Sequence, residues 1–319
     1  MSDPKRHHHT PEAYLKHFVE DDGCVSCVNL NGLKRFQTAP KNVGVIGHFN
    51  TVKFEDGSVD QTTLEQFYST FETQYNDWLE EAKTPPVSQR AVEFFIQFAS
   101  IQRMRSPGAR KILGPLTLLL LKDPKYRELQ SELTEEEAAL VSRAQCNDSE
   151  AIDQIGMRLS GQLGIATASQ LDEMEFVFLV TSGTKQLITC DNPVFICGLQ
   201  VSGKKASITL PVPNQRKILL FPLSKSVLLY GDTATKSEIG FHTYNKRATC
   251  TSGISKRVNQ ILSAQATDQI YADLERHSYL HLNAKGLRPA NLQQFENGLL
   301  SKWVNEAFRL IQHQLYAAH

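Results

Sequence analysis

Cysteine is sparse in this chain and long apolar runs are missing, and the two shortages exclude different things. Six cysteines among 319 residues, Cys24, Cys27, Cys146, Cys190, Cys197 and Cys250, are too few for a disulfide-stapled fold. Cys24 and Cys27 form a single CxxC with no second pair after it, so they read as half-buried thiols on a strand rather than a zinc knuckle. No apolar run approaches the roughly 18–20 residues that span a bilayer, and PLTLLLLKD at 115–123 is too short and too punctuated to do so. The first twenty residues hold no secretory hydrophobic segment, so a cytoplasmic chain without a membrane partner is expected.

Net charge is lacking too. Thirty-four basic residues balance 34 acidic ones and the pI is about 7.1, so no overall positive field grips phosphate backbones; only a local groove leaves nucleic acid open. GxGxxG, GxxxxGK[ST] and GxSxG do not occur, which leaves nucleotide cradling and serine-hydrolase chemistry without local support. His277 and His281 are spaced i, i+4 but lack the glutamate of HExxH, so they read as solvated or capping residues.

What is present is core-forming sequence, 41% hydrophobic, arranged in blocks. Block-wise alternation of helix and strand signals, with no repeat and no clean linker, predicts an α+β fold: an antiparallel or mixed sheet packed with a helical subdomain, in one domain over 1–319. Residues 5–58 carry a histidine-rich opening, a short helix over 12–18 begun by Pro11 with Thr10 as cap, and hairpin-like strands. Residues 59–168 form the helical part. Leu64, Phe67, Phe71, Tyr75 and Trp78 recur at helical spacing, a second helix runs from Ser88 to Arg105 and stops at SPGAR, and Thr134 with Glu137 has capping-box spacing. Residues 169–319 hold short β-branched segments such as EFVFLV and KILLFPL, closed by helices near 254–274 and 298–316.

Several residues have chemistry beyond packing. His7, His8 and His9 sit together in KRHHHTPEAYLKHF; in an extended segment adjacent side chains oppose, so His7 with His9, or one alone, could meet a metal. Glu65 and Glu72, two turns apart, share one side of their helix and are candidates for a ligand, a base or the partner of an arginine. Arg105 falls on the face set by Phe94, Phe98 and Ile101, with Gln102 at its edge, and must find a rim, a carboxylate or an anion unless the helix has frayed there. Asp191, followed by Asn192 and Pro193, ends the strand LITC: a turn explains it, and a strand end is also where a catalytic carboxylate is held rigidly.

Taken together, separated segments resemble a widespread, mostly bacterial family of domains of unknown function with an opening His-His-x-x-Pro-x-x-Tyr-Leu-x-x-Phe signature. Here the signature uses His7, His8, Pro11, Tyr14, Leu15 and Phe18. The likeness continues through APKNV at 39–43, Glu65 and Glu72, QRMRSP with Gln102, Arg105 and Pro107, TCDNPV, FPLS at 221–224, and the Asn259 segment leading to Tyr271, about residues 5–272 in all. Glu12 stands where Gln is frequent, His9 where Tyr is, and Cys190 where Ser is, which leaves room for a different substrate. The resemblance implies no settled activity, but it joins the residues that side-chain chemistry had singled out.

If those residues converge, His7, His8, Glu65 and Asp191 would be ligands for a divalent ion such as Mg, Mn or Zn. His8, Glu72, Gln102, Arg105, Asp191 and Asn192 would act on substrate. Those parts suit a metal-dependent hydrolase, more narrowly a nuclease-like phosphodiesterase acting on nucleic acid or a nucleotide. The other readings are a non-catalytic recognition or toxin-partner domain rigidified by a His-Glu-Arg-Asp network, and a transferase on a nucleotide or nucleic-acid end. Oligomeric state is not legible.

Overall fold

A computed structural model describes residues 6–84, 86–124, 131–171, 173–181, 186–202, 205–209, 215–233, 247–280, 302, 304 and 306–311. The chain opens with β1 (Arg6–His8) and α1 (Glu12–Leu15), the latter running into a 3-10 turn at Lys16–Phe18. Pro11 takes the cap position of α1, and Thr10 Oγ1 pairs with His9 Nδ1 at 3.1 Å in place of capping the helix. Strands β2 (Val25–Asn29), β3 (Lys34–Thr38), β4 (Val45–Gly47), β5 (Val52–Lys53) and β6 (Val59–Asp60) follow.

The helical block comprises α2 (Thr63–Glu72), α3 (Tyr75–Lys83), α4 (Gln89–Arg105), α5 (Pro107–Lys122), α6 (Glu135–Gln145), α7 (Ser149–Ala166) and α8 (Ala168–Leu171). The single helix expected across Leu64–Trp78 is two, broken at Thr73–Gln74. SPGAR does not end the helical run either: Ser106 Oγ accepts from Ala109 N at 3.2 Å and Pro107 occupies the first turn, so the segment caps α5. The capping box at Thr134 and Glu137 forms as the spacing predicts.

The remaining elements are β7 (Glu175–Thr181), β8 (Thr189–Cys190), β9 (Phe195–Ser202), β10 (Lys205–Thr209), β11 (Arg216–Pro222), β12 (Val227–Asp232), β13 (Arg247–Cys250), α9 (Ser252–Gln265) and β14 (Gln269–Tyr271). The second expected closing helix, 298–316, falls largely outside the described residues. A six-stranded mixed sheet has the order β10-β9-β11-β12-β7-β13, antiparallel except for β13 on β7. A four-stranded sheet, β3-β2-β14-β8, and two ribbons, β1-β4 and β5-β6, complete the strands, giving the expected α+β class.

Alternation along the six-stranded sheet explains its position. Phe176, Phe178, Leu219, Phe221, Val227 and Leu229 share a core with Phe94, Phe95 and Phe98 of α4, while Val177, Leu179, Ile218, Leu220, Leu228 and Tyr230 share another with Ile254, Val258 and Ile261 of α9. A sheet buried on both faces reads as continuous apolar strands, as these do.

The opening signature is largely core. Tyr14 is fully buried, its ring stacked on Phe221 at 5.6 Å, with Oη 2.5 Å from Thr189 Oγ1 and donating to the Pro222 carbonyl at 2.8 Å. Leu15 and Phe18 join the same cluster. Gly44 O accepts from His9 N at 2.7 Å and from Thr10 N at 3.2 Å. With φ +65° and room for no Cβ, which would stand 2.8 Å from the Thr10 carbonyl oxygen, Gly44 is required where the APKNV segment docks on the histidines.

Candidate functional site

Three segments converge on the histidine strand. Helix α2 presents Glu65, Tyr68 and Glu72 at i, i+3 and i+7, on one face. The last turn of α4 brings Gln102 and Arg105, and the first turn of α5 brings Arg110. The loop after β4 supplies His48, Phe49 and Asn50.

Arg105 is only 2% exposed and is not a frayed end. Its Nη1 donates to Glu72 Oε1 at 2.7 Å, and its guanidinium lies over the Tyr68 ring at 4.0 Å. Gln102, also buried, donates from Nε2 to the His9 carbonyl at 2.8 Å, tying α4 to the opening strand. Asn50 is the junction of the cluster: its backbone N–H donates to His7 Nδ1 at 2.8 Å, its side-chain amide donates to Glu65 Oε1, and its Oδ1 accepts from Arg110 Nη2 at 2.5 Å. Arg110 also donates to the Phe49 carbonyl and stacks on the Phe49 ring at 3.7 Å.

The imidazoles differ. His7 accepts at Nδ1, so in its neutral form the proton sits on Nε2 and neither nitrogen offers a lone pair to a metal while that bond stands. His9 is buried against Phe49, ring centroids 5.8 Å apart, and burial pushes its pKa down to about 3, with Arg105 next in effect. His8 is half-buried. Burial lowers its pKa, Glu72 opposes that shift, Arg105 adds to it, and Glu12 and Glu65 act with Glu72. His8 Nε2 is closed to solvent and has no hydrogen-bond partner.

Thus His7, His8, Glu65, Glu72, Gln102 and Arg105 are brought into one cluster. Asp191 and Asn192 have a different task. The Asp191 carboxylate accepts from three consecutive backbone N–H groups, Thr267 at 2.8 Å, Asp268 at 2.6 Å and Gln269 at 3.2 Å, which uses both oxygens. Asn192 gives its carbonyl oxygen to Gln265 Nε2 at 2.5 Å. Complete burial raises the Asp191 pKa to about 6 in spite of the three donors. The turn it holds abuts α5: a Cβ on Gly108 would stand 2.9 Å from Thr267 Oγ1. Asp191 therefore holds the 267–269 backbone, which packs against the start of α5. Asn259 is likewise structural, accepting from Ile188 N at 3.0 Å and donating to the Gln186 carbonyl at 2.8 Å.

Among the described residues, no three His, Cys, Asp or Glu side chains are grouped so that they could hold a metal ion. Nor is any helix among them long and apolar enough to cross a membrane.

Tyr68, Arg110, Phe49 and Asn50 escaped the sequence reading. Tyr68 had a signal, since it lies between Glu65 and Glu72 on their own face; the apolar stripe of Phe67 and Phe71 drew attention to the outer side, where those rings pack on each other at 5.4 Å.

This arrangement belongs to a chain whose residues 6–275 match the model of a family described as protein of unknown function (DUF4238). The chain is a member of that family. Neither a curated protein nor a solved structure matches it.

Proposed function

We propose that the protein is a hydrolase of phosphate esters, more narrowly a nuclease-like phosphodiesterase, working at the cluster around His8. The observation that carries this reading is a buried, unpartnered His8 Nε2 within electrostatic reach of the Glu72–Arg105 pair. Burial keeps that imidazole neutral at pH 7, the state a general base needs. His8 takes the proton of a water whose oxygen bonds to phosphorus as the P–O bond to the leaving alcohol breaks, and the imidazolium returns that proton to the leaving oxygen; Arg105 offers N–H to the phosphoryl oxygen on which charge grows, and Glu72 holds the guanidinium in place. The substrate is nucleic acid or a nucleotide.

A divalent ion fits these residues in one form only. With the acceptor atoms of His7 and Asp191 engaged, the three or four protein ligands that zinc requires are not at hand. Magnesium or manganese fits better, because magnesium is commonly held by one or two carboxylates together with water and substrate phosphate; Glu65 and Glu72 are the carboxylates within reach.

The test is an assay of the full chain on single-stranded and duplex DNA, RNA and a chromogenic phosphodiester, with and without Mg²⁺ or Mn²⁺, beside His8→Gln. Cleavage by the wild type, reduced about 100-fold or more in the variant at an unchanged thermal midpoint, is the expected result. No cleavage under any condition, or a His8→Gln rate equal to wild type, sinks the reading.

One observation favours a second reading, a non-catalytic recognition domain: Asn50 closes His7, Glu65 and Arg110 into a mutually satisfied network. On that reading Asn50→Ala lowers the thermal midpoint while no substrate is turned over.

A further inference from the structure

Arg110 poses a charge problem that the proposed hydrolysis does not use. It is 7% exposed, yet the acceptors it reaches, the Phe49 carbonyl and Asn50 Oδ1, are both uncharged. Burial pulls its pKa down to about 10, and Arg105 nearby pulls in the same direction. The carboxylate nearest in effect, Glu65, reaches it through Asn50 and not by a direct ion pair. A buried guanidinium without a directly paired carboxylate is costly, and an anion received beside it would offset that cost.

The surrounding orphans point the same way. Arg105 Nε and Arg110 Nε are buried without partners, and the hydroxyl of Tyr68, a residue 2% exposed, is closed to solvent beside Arg110 with its own O–H left to donate. Tyr68 links the two cations: Arg105 stacks on its ring, and its hydroxyl is close enough to Arg110 to favour that charge. Native interiors seldom leave such donors unmet. Three donors able to give N–H or O–H, with two positive charges and one direct carboxylate, call for an acceptor-only, oxygen-rich ligand.

We infer that Arg105, Arg110 and Tyr68 form a seat for a terminal phosphate, a phosphomonoester group rather than an internal diester. This deepens the phosphodiesterase reading above and rests on it for the identity of the substrate, a nucleic acid or nucleotide held by its phosphorylated end, with Arg105 shared between that phosphate and the adjacent diester that is cut. Two features select the terminal group. A monoester presents three free oxygens to three orphan donors, where a diester presents two. The seat is also deep, and a terminal phosphate leaves through one ester bond, whereas an internal phosphate needs two exits from a closed site. The donors are shut from solvent in this conformation, so binding displaces a covering segment. The β1–β4 ribbon touches the cluster through His7 and is short, with three residue pairs, and it is the segment that we assign to this movement.

The experiment is thermal unfolding of the full chain against inorganic phosphate, with chloride at equal ionic strength as control, for wild type, Arg110→Gln and Tyr68→Phe. Phosphate should raise the wild-type midpoint in a concentration-dependent way, by mass action on the folded state. The shift should vanish in Arg110→Gln and shrink in Tyr68→Phe, a variant that removes one hydroxyl and keeps the ring on which Arg105 stacks. A 5′-phosphorylated oligonucleotide compared with its hydroxyl-ended twin then separates a nucleic-acid end from a small phosphate as the source. No phosphate shift in the wild type, or equal shifts in wild type and Tyr68→Phe, overturns the seat. The wild type keeps the two ideas apart: a phosphate shift in a wild-type protein that hydrolyses nothing removes the hydrolase and leaves the seat, and wild-type hydrolysis without any phosphate response does the reverse.

Discussion

Glu72 and Arg105 meet at 2.7 Å across 33 residues of sequence, one side chain 22% exposed and the other 2%. The asymmetry sets the cost of breaking the pair. Glu72→Leu strands a buried guanidinium and should cost ~3–5 kcal/mol, whereas Arg105→Met leaves a carboxylate that water reaches and should cost less. Urea unfolding of the two variants checks the order; equal losses would mean that the pair is not what holds α2 against α4.

His9 makes the protein sensitive to acid. Its folded pKa, about 3, lies below the ordinary 6.5, so the unfolded chain binds the extra proton in that window. Its contribution to stability is present above pH 6.5 and is lost as the pH falls toward 3, at up to ~1.4 kcal/mol per pH unit. His9→Phe should flatten the acid limb of a pH–stability curve measured by urea midpoint.

Asp191 acts in the opposite sense. Its folded pKa of about 6 exceeds the ordinary 3.8, so its contribution is fully present below pH 3.8 and is lost as the pH rises through 6. Asp191→Asn should remove that dependence while weakening the hold on the 267–269 backbone by ~1–3 kcal/mol. Hydrogen exchange at Thr267, Asp268 and Gln269 reads the second effect, and protection unchanged by the substitution would refute the clasp.

Tyr14→Phe isolates one hydroxyl. Without it the buried Pro222 carbonyl and Thr189 Oγ1 lose their partner, at ~1–3 kcal/mol, while the stacking on Phe221 stays. Tyr14→Ala should cost more, ~3–5 kcal/mol, by opening a cavity among Phe18, Tyr75, Phe98 and Phe221. Calorimetry on both variants separates the two terms.

Most of the strands and helices were legible because burial on both sides of the large sheet leaves unbroken apolar segments, and because Ser88, Thr134 and Glu137 mark helix starts with cap chemistry. The Ser106–Pro107 start is ambiguous in sequence, since proline and glycine after an arginine signal a helix stop as well as a start. Half of the site was visible: His8, Glu72, Gln102 and Arg105 stand out as polar groups on or beside apolar faces. Arg110 was not, because its acceptors are a backbone carbonyl and an amide some 60 residues away, and no side chain of complementary charge announces them. Asp191 was visible as unusual, but its partners are three N–H groups, which no residue type reveals.

The path of Tyr14 also governs how the protein comes into being. Its partners Thr189 and Pro222 follow it by 175 and 208 residues, so a nascent chain that grows at ~5–20 residues per second carries the opening segment unpaired for roughly 10–40 seconds. Throughout that interval Tyr14, Leu15 and Phe18 lack the later strands against which they pack. The histidine strand just upstream has nearer partners in β4, Asn50 and Gln102, so its contacts can assemble while the strands that cover Tyr14 are still to come.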